Sequence, residues 1–373
     1  MPQDDYAILV GISRYRDPDT YPPLEGPLND VERLHAWLLA DGVPENNIRR
    51  LLTDQALLEL TPEAVKQQPV SAWSPTYPLF SDTFMDLVQD PQTGKFLRRP
   101  GRLYLYFSGH GFSVSKDQTP RAALFAANAF GIRVSNIAGS LFAETVQQGA
   151  LFKEVVLIMD CCRDAEMNVA YNIPEINTVE DDGSEKVKVL QIYATQKRGK
   201  AQERILPDSD GKAVGLLTHA LLKSLREAPT DVAGRIPSAT LKGYVDLHWS
   251  DWFSAPVPPS PRIITPQTGD IFFQSRKPLS AQTFSISADT VVGTQLNLQS
   301  AMLVATGTVT ANTVVWIANN NAWKVDIPLE QAQADGRRMF KLLLSNDEHV
   351  LSFPGTLRDS VKFVPGGADV ISS

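Results

Sequence analysis

The chain has 373 residues, 43% of them hydrophobic and 21% charged, with a formal net charge of −7, the make-up of an ordinary globular protein with room for one large core or two smaller ones. That acidic balance excludes a general nucleic-acid binder, whose phosphate affinity is built from clustered Lys and Arg, and no apolar run approaches the roughly 18 residues of a spanning helix, so a membrane partner is not expected either. The two cysteines, Cys161 and Cys162, are adjacent and cannot staple a secreted domain, and the acidic start at residues 1–5 is no signal peptide, so two thiols in a reducing cytoplasm are expected.

Residues 6–12 (YAILVGI) read as a first strand, an unbroken apolar run of the kind buried inside parallel sheets. A Pro-rich loop through Tyr21, Pro22 and Pro23 follows, and then a helix is expected from about 29 to 39. Asn29 and Glu32 fit a capping box there, and Val31, Leu34, His35 and Leu38 fall on one face. A second strand is read at 48–52 and a second helix at 81–89. Two further apolar runs end abruptly in reactive residues: 104–111 in Ser108-Gly109-His110-Gly111, and 155–163 in Asp160-Cys161-Cys162-Arg163. Helical residues 142–148 lead into the second of them.

The stretch 172–188 is polar and acidic and reads as a long exposed loop. A strand follows at 189–194, then a helix at 216–226 with an apolar stripe at Leu217, Ala220, Leu221 and Leu225. A Pro-rich segment, 256–261, precedes a last strand around 270–274. Alternating strands and helices of this kind give an α/β fold, a mainly parallel sheet flanked by helices on both faces. Beyond residue 278 the chain turns to short alternating runs without helices, so 278–373 is read as a small C-terminal β-sandwich-like domain after a first domain at 1–277. Trp316 and Trp323 are read as core residues of that second domain.

In open α/β sheets the working groups sit beyond the carboxyl ends of the strands. A histidine after one buried strand and a cysteine after another are therefore placed to meet, as a thiol nucleophile and its base require. His110 stands between two glycines, where the main chain turns freely. Of two neighbouring cysteines, side-chain alternation sends one inward and one outward.

The Ser108–Gly111 and Asp160–Arg163 segments, 52 positions apart from His110 to Cys162, resemble the histidine and cysteine motifs of the caspase–metacaspase family of cysteine proteases. Weaker echoes lie at 24–30 and 215–221. The resemblance covers roughly 6–274 and implies a caspase-like fold and a Cys–His dyad. Cys162 is then the nucleophile and His110 the base, with the main-chain N–H groups of Gly111 and Cys162 holding the oxyanion. Cys161, where metacaspases usually carry Ser, and Arg163-Asp164, in place of His-Ser, depart from the pattern.

By the same resemblance Asp30 and Asp160 line the pocket for the residue before the scissile bond, and paired carboxylates suit Arg or Lys. Glu203 resembles a family position near that pocket. Cleavage after acidic residues would instead need cations there, for which Arg14 and Arg163 are the nearest candidates; a scaffold without catalysis is the other alternative. Lys186, Lys188, Lys197, Arg198 and Lys200 make 172–200 a candidate self-processing region. Protein or peptide substrates are the expected partners, with a regulatory protein partner on the C-terminal domain. No metal or cofactor is expected. The acidic run 180–182 leaves calcium activation open, although no EF-hand loop is present.

Overall fold

The computed structural model describes residues 2–114, 119–166, 169–176, 181–231, 233–253, 256–274, 280–287, 291–299, 304–318, 324–331, 337–344, 349–352, 361–364 and 367–370. Six strands build a central sheet: β1 (Tyr6–Gly11), β2 (Ile48–Leu52), β3 (Arg99–Gly109), β4 (Phe152–Cys161), β5 (Lys188–Tyr193) and β6 (Arg262–Ile264). Their spatial order is β6-β5-β4-β3-β1-β2. All neighbours run parallel except β6, which is antiparallel to β5.

Alternation along β3 and β4 decides which side chains meet which helices. Leu103, Leu105 and Phe107, with Leu157, Met159 and Cys161, belong to a core built with α2 (Tyr77–Val88) and α3 (Gly139–Gln148). Phe142 of α3 anchors that core, with ring centroids 4.7 Å from Phe80 and 5.1 Å from Phe84. Each such buried aromatic contributes on the order of 1.5–3 kcal/mol. The intervening residues turn to the opposite face, toward α1 (Gly26–Asp41) and α4 (Leu216–Glu227). There Tyr104 packs edge-on against Trp37, and the Tyr106 hydroxyl reaches Thr218 at 2.7 Å. Ser108 and Asp160 continue this second row, so two polar residues end an apolar stripe side by side.

Several expectations need correction. Helix α1 begins at Gly26, with Pro27 in its first turn, and Asn29 lies inside it rather than capping it. The Glu203 carboxylate, 177 residues away, accepts from Gly26 N–H at 2.8 Å and does the capping, which local spacing cannot reveal. The strand near 270–274 exists as Phe272–Gln274 but pairs with Arg235–Pro237. The sheet's last strand is β6, directly after the Pro-rich segment and too short to leave a pattern. Helix α5 (Ser238–Trp252) and a small four-stranded sheet were not anticipated. That sheet joins Gly111–Val114, Ala123–Phe125, Asn136–Ile137 and Asp164–Glu166, strands of two to four residues.

Packing divides the chain into two compact units, 1–222 with 246–268, and 223–245 with 269–373. In the second unit seven antiparallel strands form one sheet, and Ser280–Ser287 pairs antiparallel with Arg337–Leu344. Trp316 is fully buried in that unit. A Cβ on the facing Gly307 would lie 2.9 Å from its ring. Trp323 lies outside the described residues.

At Gly111 an added Cβ would stand 2.5 Å from Cys161 Sγ and 2.7 Å from the Ala123 carbonyl oxygen. Gly111→Ala is therefore expected to cost ~1–3 kcal/mol through overpacking. Cys161→Ala in the same chain is expected to recover part of that loss, because Sγ is the nearest obstruction; a double-mutant cycle from urea unfolding measures it.

Candidate active site

Strands β3 and β4 end level with one another, Ser108 opposite Asp160 and Gly109 opposite Cys161. His110 and Cys162, each the next residue, leave adjacent strands at the same sheet edge. Both are half-buried, and both line one cleft. Asp30, Asp160, Glu203, Ser108, Gln202 and Gly215 line it too.

The imidazole of His110 is held by the loop after β1. Its Nε2 lies 2.8 Å from the Pro22 carbonyl oxygen. A carbonyl only accepts, so this bond assigns the proton to Nε2 and leaves the lone pair of the neutral ring on Nδ1. The Tyr15 hydroxyl accepts from the His110 main-chain N–H at 2.8 Å, and its ring lies 5.2 Å from the imidazole. Gly109, at φ +150°, is demanded by this contact, because a Cβ there would sit 2.5 Å from the Tyr15 hydroxyl. Leu24 N–H to Ser13 O and Arg16 N–H to Ala127 O tie the loop down. Burial pushes the His110 pKa below its ordinary value, partly offset by the Pro22 bond and the charge of Glu203. The Pro22 carbonyl and Tyr15 escape sequence reading, because a main-chain acceptor has no residue type and a lone tyrosine carries no motif.

Of the two thiols, Cys161 is fully buried and its pKa is driven up by desolvation. Cys162 opens on the cleft, its Sγ 4.0 Å from the Ala201 carbonyl oxygen. Opposite Ala123–Phe125, Phe125 N–H donates to His110 O at 2.9 Å, so Gly111 falls at the non-hydrogen-bonded position facing Leu124. Its N–H therefore points away from that strand.

Three carboxylates line the cleft, and among the described residues none of its other lining residues is a Lys or Arg. Gly215 N–H donates to Asp30 at 2.9 and 3.0 Å, and Ser108 Oγ at 3.3 Å. Asp160 Oδ2 accepts from Thr218 N–H at 3.0 Å and from Thr218 Oγ1 at 2.6 Å. Gly215 lies between them: its missing Cβ would be 2.3 Å from Asp160 Oδ2 and 2.7 Å from Asp30 Oδ2. Both carboxyls are pushed up, chiefly by burial; Asp30 feels Asp160 next, and Asp160 feels Glu203.

Arg163 does not reach this cleft. Only 1% exposed, it bonds the Thr195 and Arg121 carbonyls and lies over the Tyr193 ring. Arg14 bonds the Leu58 carbonyl. Arg198 sits in a left-handed turn at φ +69°, with its N–H on the Arg163 carbonyl, not in the extended form a protease grips. Of the acidic run at 180–182, Asp181 is ion-paired with Arg98, while Glu180 lies outside the described residues. Among the described residues no group of three or more His, Cys, Asp or Glu is arranged to hold a metal ion, and no helix is long and apolar enough to cross a membrane.

A folded pKa above the unfolded one means that the folded chain holds more protons, so stability falls as pH rises through the folded value. Asp30→Asn removes one charge and keeps an acceptor for Gly215. The variant is expected to melt about 2–4 °C above the parent at pH 8, a gain of ~1 kcal/mol, with the difference closing toward pH 4. Calorimetry across that range decides it; a variant less stable than the parent at pH 8 refutes the strained pair.

The Caspase domain profile of peptidase family C14 matches residues 4–236. No curated protein matches the chain. Among solved structures, the crystal structure of protein GSU0716 from Geobacter sulfurreducens aligns at 16% identity with a TM-score of 0.42, covering 71% of this chain and 94% of that one. By its profile match the chain belongs to the caspase-domain family of peptidases.

Proposed function

We propose that the chain is a cysteine endopeptidase with a Cys162–His110 dyad that cuts protein substrates after Arg or Lys. The observation that carries this reading is the shared cleft: thiol, imidazole and three carboxylates line it, and among the described residues no Lys or Arg side chain does. Nδ1 of His110, left with the lone pair by the Pro22 bond, takes the thiol proton, and the Cys162 thiolate attacks the peptide carbonyl. The main-chain N–H groups of Gly111 and Cys162 hold the oxyanion. His110 then protonates the leaving amine, and water releases the acyl group from sulfur. A guanidinium bridging Asp30 and Asp160 supplies the charge that their burial leaves uncompensated. Acidic specificity lacks support, because Arg14 and Arg163 are engaged elsewhere. A reducing, cytoplasmic setting suits two thiols outside any disulfide, and the antiparallel strands beyond 278 are the surface we assign to a regulatory protein partner.

Fluorogenic peptides ending in Arg, Lys or Asp test this. Turnover of the Arg and Lys peptides and not of Asp is expected, with kcat lowered at least ~1,000-fold by Cys162→Ala or His110→Ala. Failure of an electrophilic Arg peptide to label Cys162 in the folded protein leaves the scaffold alternative standing.

A further inference from the structure

The reading above leaves unexplained why Asp160 is held so firmly from behind. One oxygen, Oδ2, takes both hydrogen bonds of Thr218, while Oδ1 takes none from a described residue. Thr218 is the third residue of α4, so the grip comes from a helix N-terminus whose main-chain N–H groups favour an anion. Behind Thr218 stands Tyr106 of β3, hydroxyl to Oγ1 at 2.7 Å. An ionised carboxylate only accepts, so Thr218 gives its one hydroxyl proton to Asp160 and must itself accept from Tyr106. The result is a buried, one-way chain of donors, Tyr106 to Thr218 to Asp160. Tyr106 and Thr218 are both wholly inaccessible.

We infer that Thr218, oriented by Tyr106, is a positioning residue for substrate specificity: it fixes Asp160 Oδ2 from behind and keeps Oδ1 as the acceptor for the substrate's cationic head. This rests on the Arg/Lys reading of the cleft. The groups facing Asp160 divide clearly. Asp30 from α1 and Glu203 from Glu203–Ile205 oppose its charge. Arg33 of α1 acts on Asp30. His110 and Cys162 line the same cleft, and Cys161 precedes Cys162. Thr218 supplies the hydrogen bonds that favour the ionised form.

Thr218→Val keeps the side-chain shape and the main-chain N–H but removes the hydroxyl. With an Arg peptide at pH 7, KM is expected to rise about tenfold while kcat changes less than twofold. The pH at which KM climbs on the acid side is expected to move up by about one unit. Thr218→Ser restores both, and Tyr106→Phe gives the same change at about threefold, carrying the test should the valine variant fail to fold. A citrulline peptide, shaped like Arg without its charge, separates charge recognition from loosened packing, because its KM should stay put. Unchanged KM and acid limb in Thr218→Val and Tyr106→Phe overturn the inference, as does a fall in kcat at constant KM. If the parent enzyme turns over neither Arg nor Lys peptides, the specificity reading itself fails, whatever the variants do.

Discussion

Between β3 and β4 the main-chain ladder sets Ser108 beside Asp160 and Gly109 beside Cys161, and a slip of one residue would exchange every side chain between the two faces of the sheet. The register is pinned by what the faces bury. Leu103, Leu105, Phe107, Leu157 and Met159 can join the core with α2 and α3 only in this phase. The same phase puts Asp160 toward α1 and α4, sends Cys161 into the core and leaves Cys162 at the edge beside His110. Hydrophobic burial far down the strands thus determines which of the two thiols shares the cleft with His110.

The carboxylates show what the fold holds in opposition. Burial and mutual repulsion disfavour charge on Asp30 and Asp160. Main-chain N–H groups at Gly215 and Thr218 and the hydroxyls of Ser108 and Thr218 favour it. Glu203 is held likewise by Glu25 and Gly26, at the start of α1. Main-chain donors fixed by secondary structure cannot swing away, so the carboxylates stay preorganised, and the charge of Arg33 on α1 also favours ionised Asp30. Gly215 is the geometric condition for this, since any side chain there would occupy the space between the two oxygens.

Much of this was legible in the sequence, and the omissions share a cause. Apolar runs of five or more residues identified β1, β3 and β4, because burial on both faces leaves an unbroken signal, whereas β2 carries the exposed Arg49 and Arg50 and β5 is interrupted by Gln191. His110 and Cys162 stood out because each ends such a run. What escaped were three-residue elements such as β6 and the strands beside Gly111, and helix α5, where only Leu241, Val245 and Trp249 give a sparse buried stripe. Long-range caps escaped as well. Asn29 and Glu32 looked like a capping box, but the partner that matters is Glu203. The donor chain through Tyr106 and Thr218 was also hidden, since each residue alone reads as ordinary core.

The choice of a main-chain carbonyl to orient His110 has a chemical consequence of its own. On the proposed dyad, a carboxylate in that place would stabilise an imidazolium more strongly than a carbonyl does. The Pro22 oxygen fixes the tautomer and the ring plane while adding only a dipole, and burial keeps the ring's pKa low. A thiol ionises far more readily than a serine hydroxyl, so the base needs less help to remove its proton. On the proposed dyad, a neutral orienting group matches a thiol nucleophile: it fixes the ring's geometry, and a thiol asks for less stabilisation of the imidazolium than a hydroxyl would.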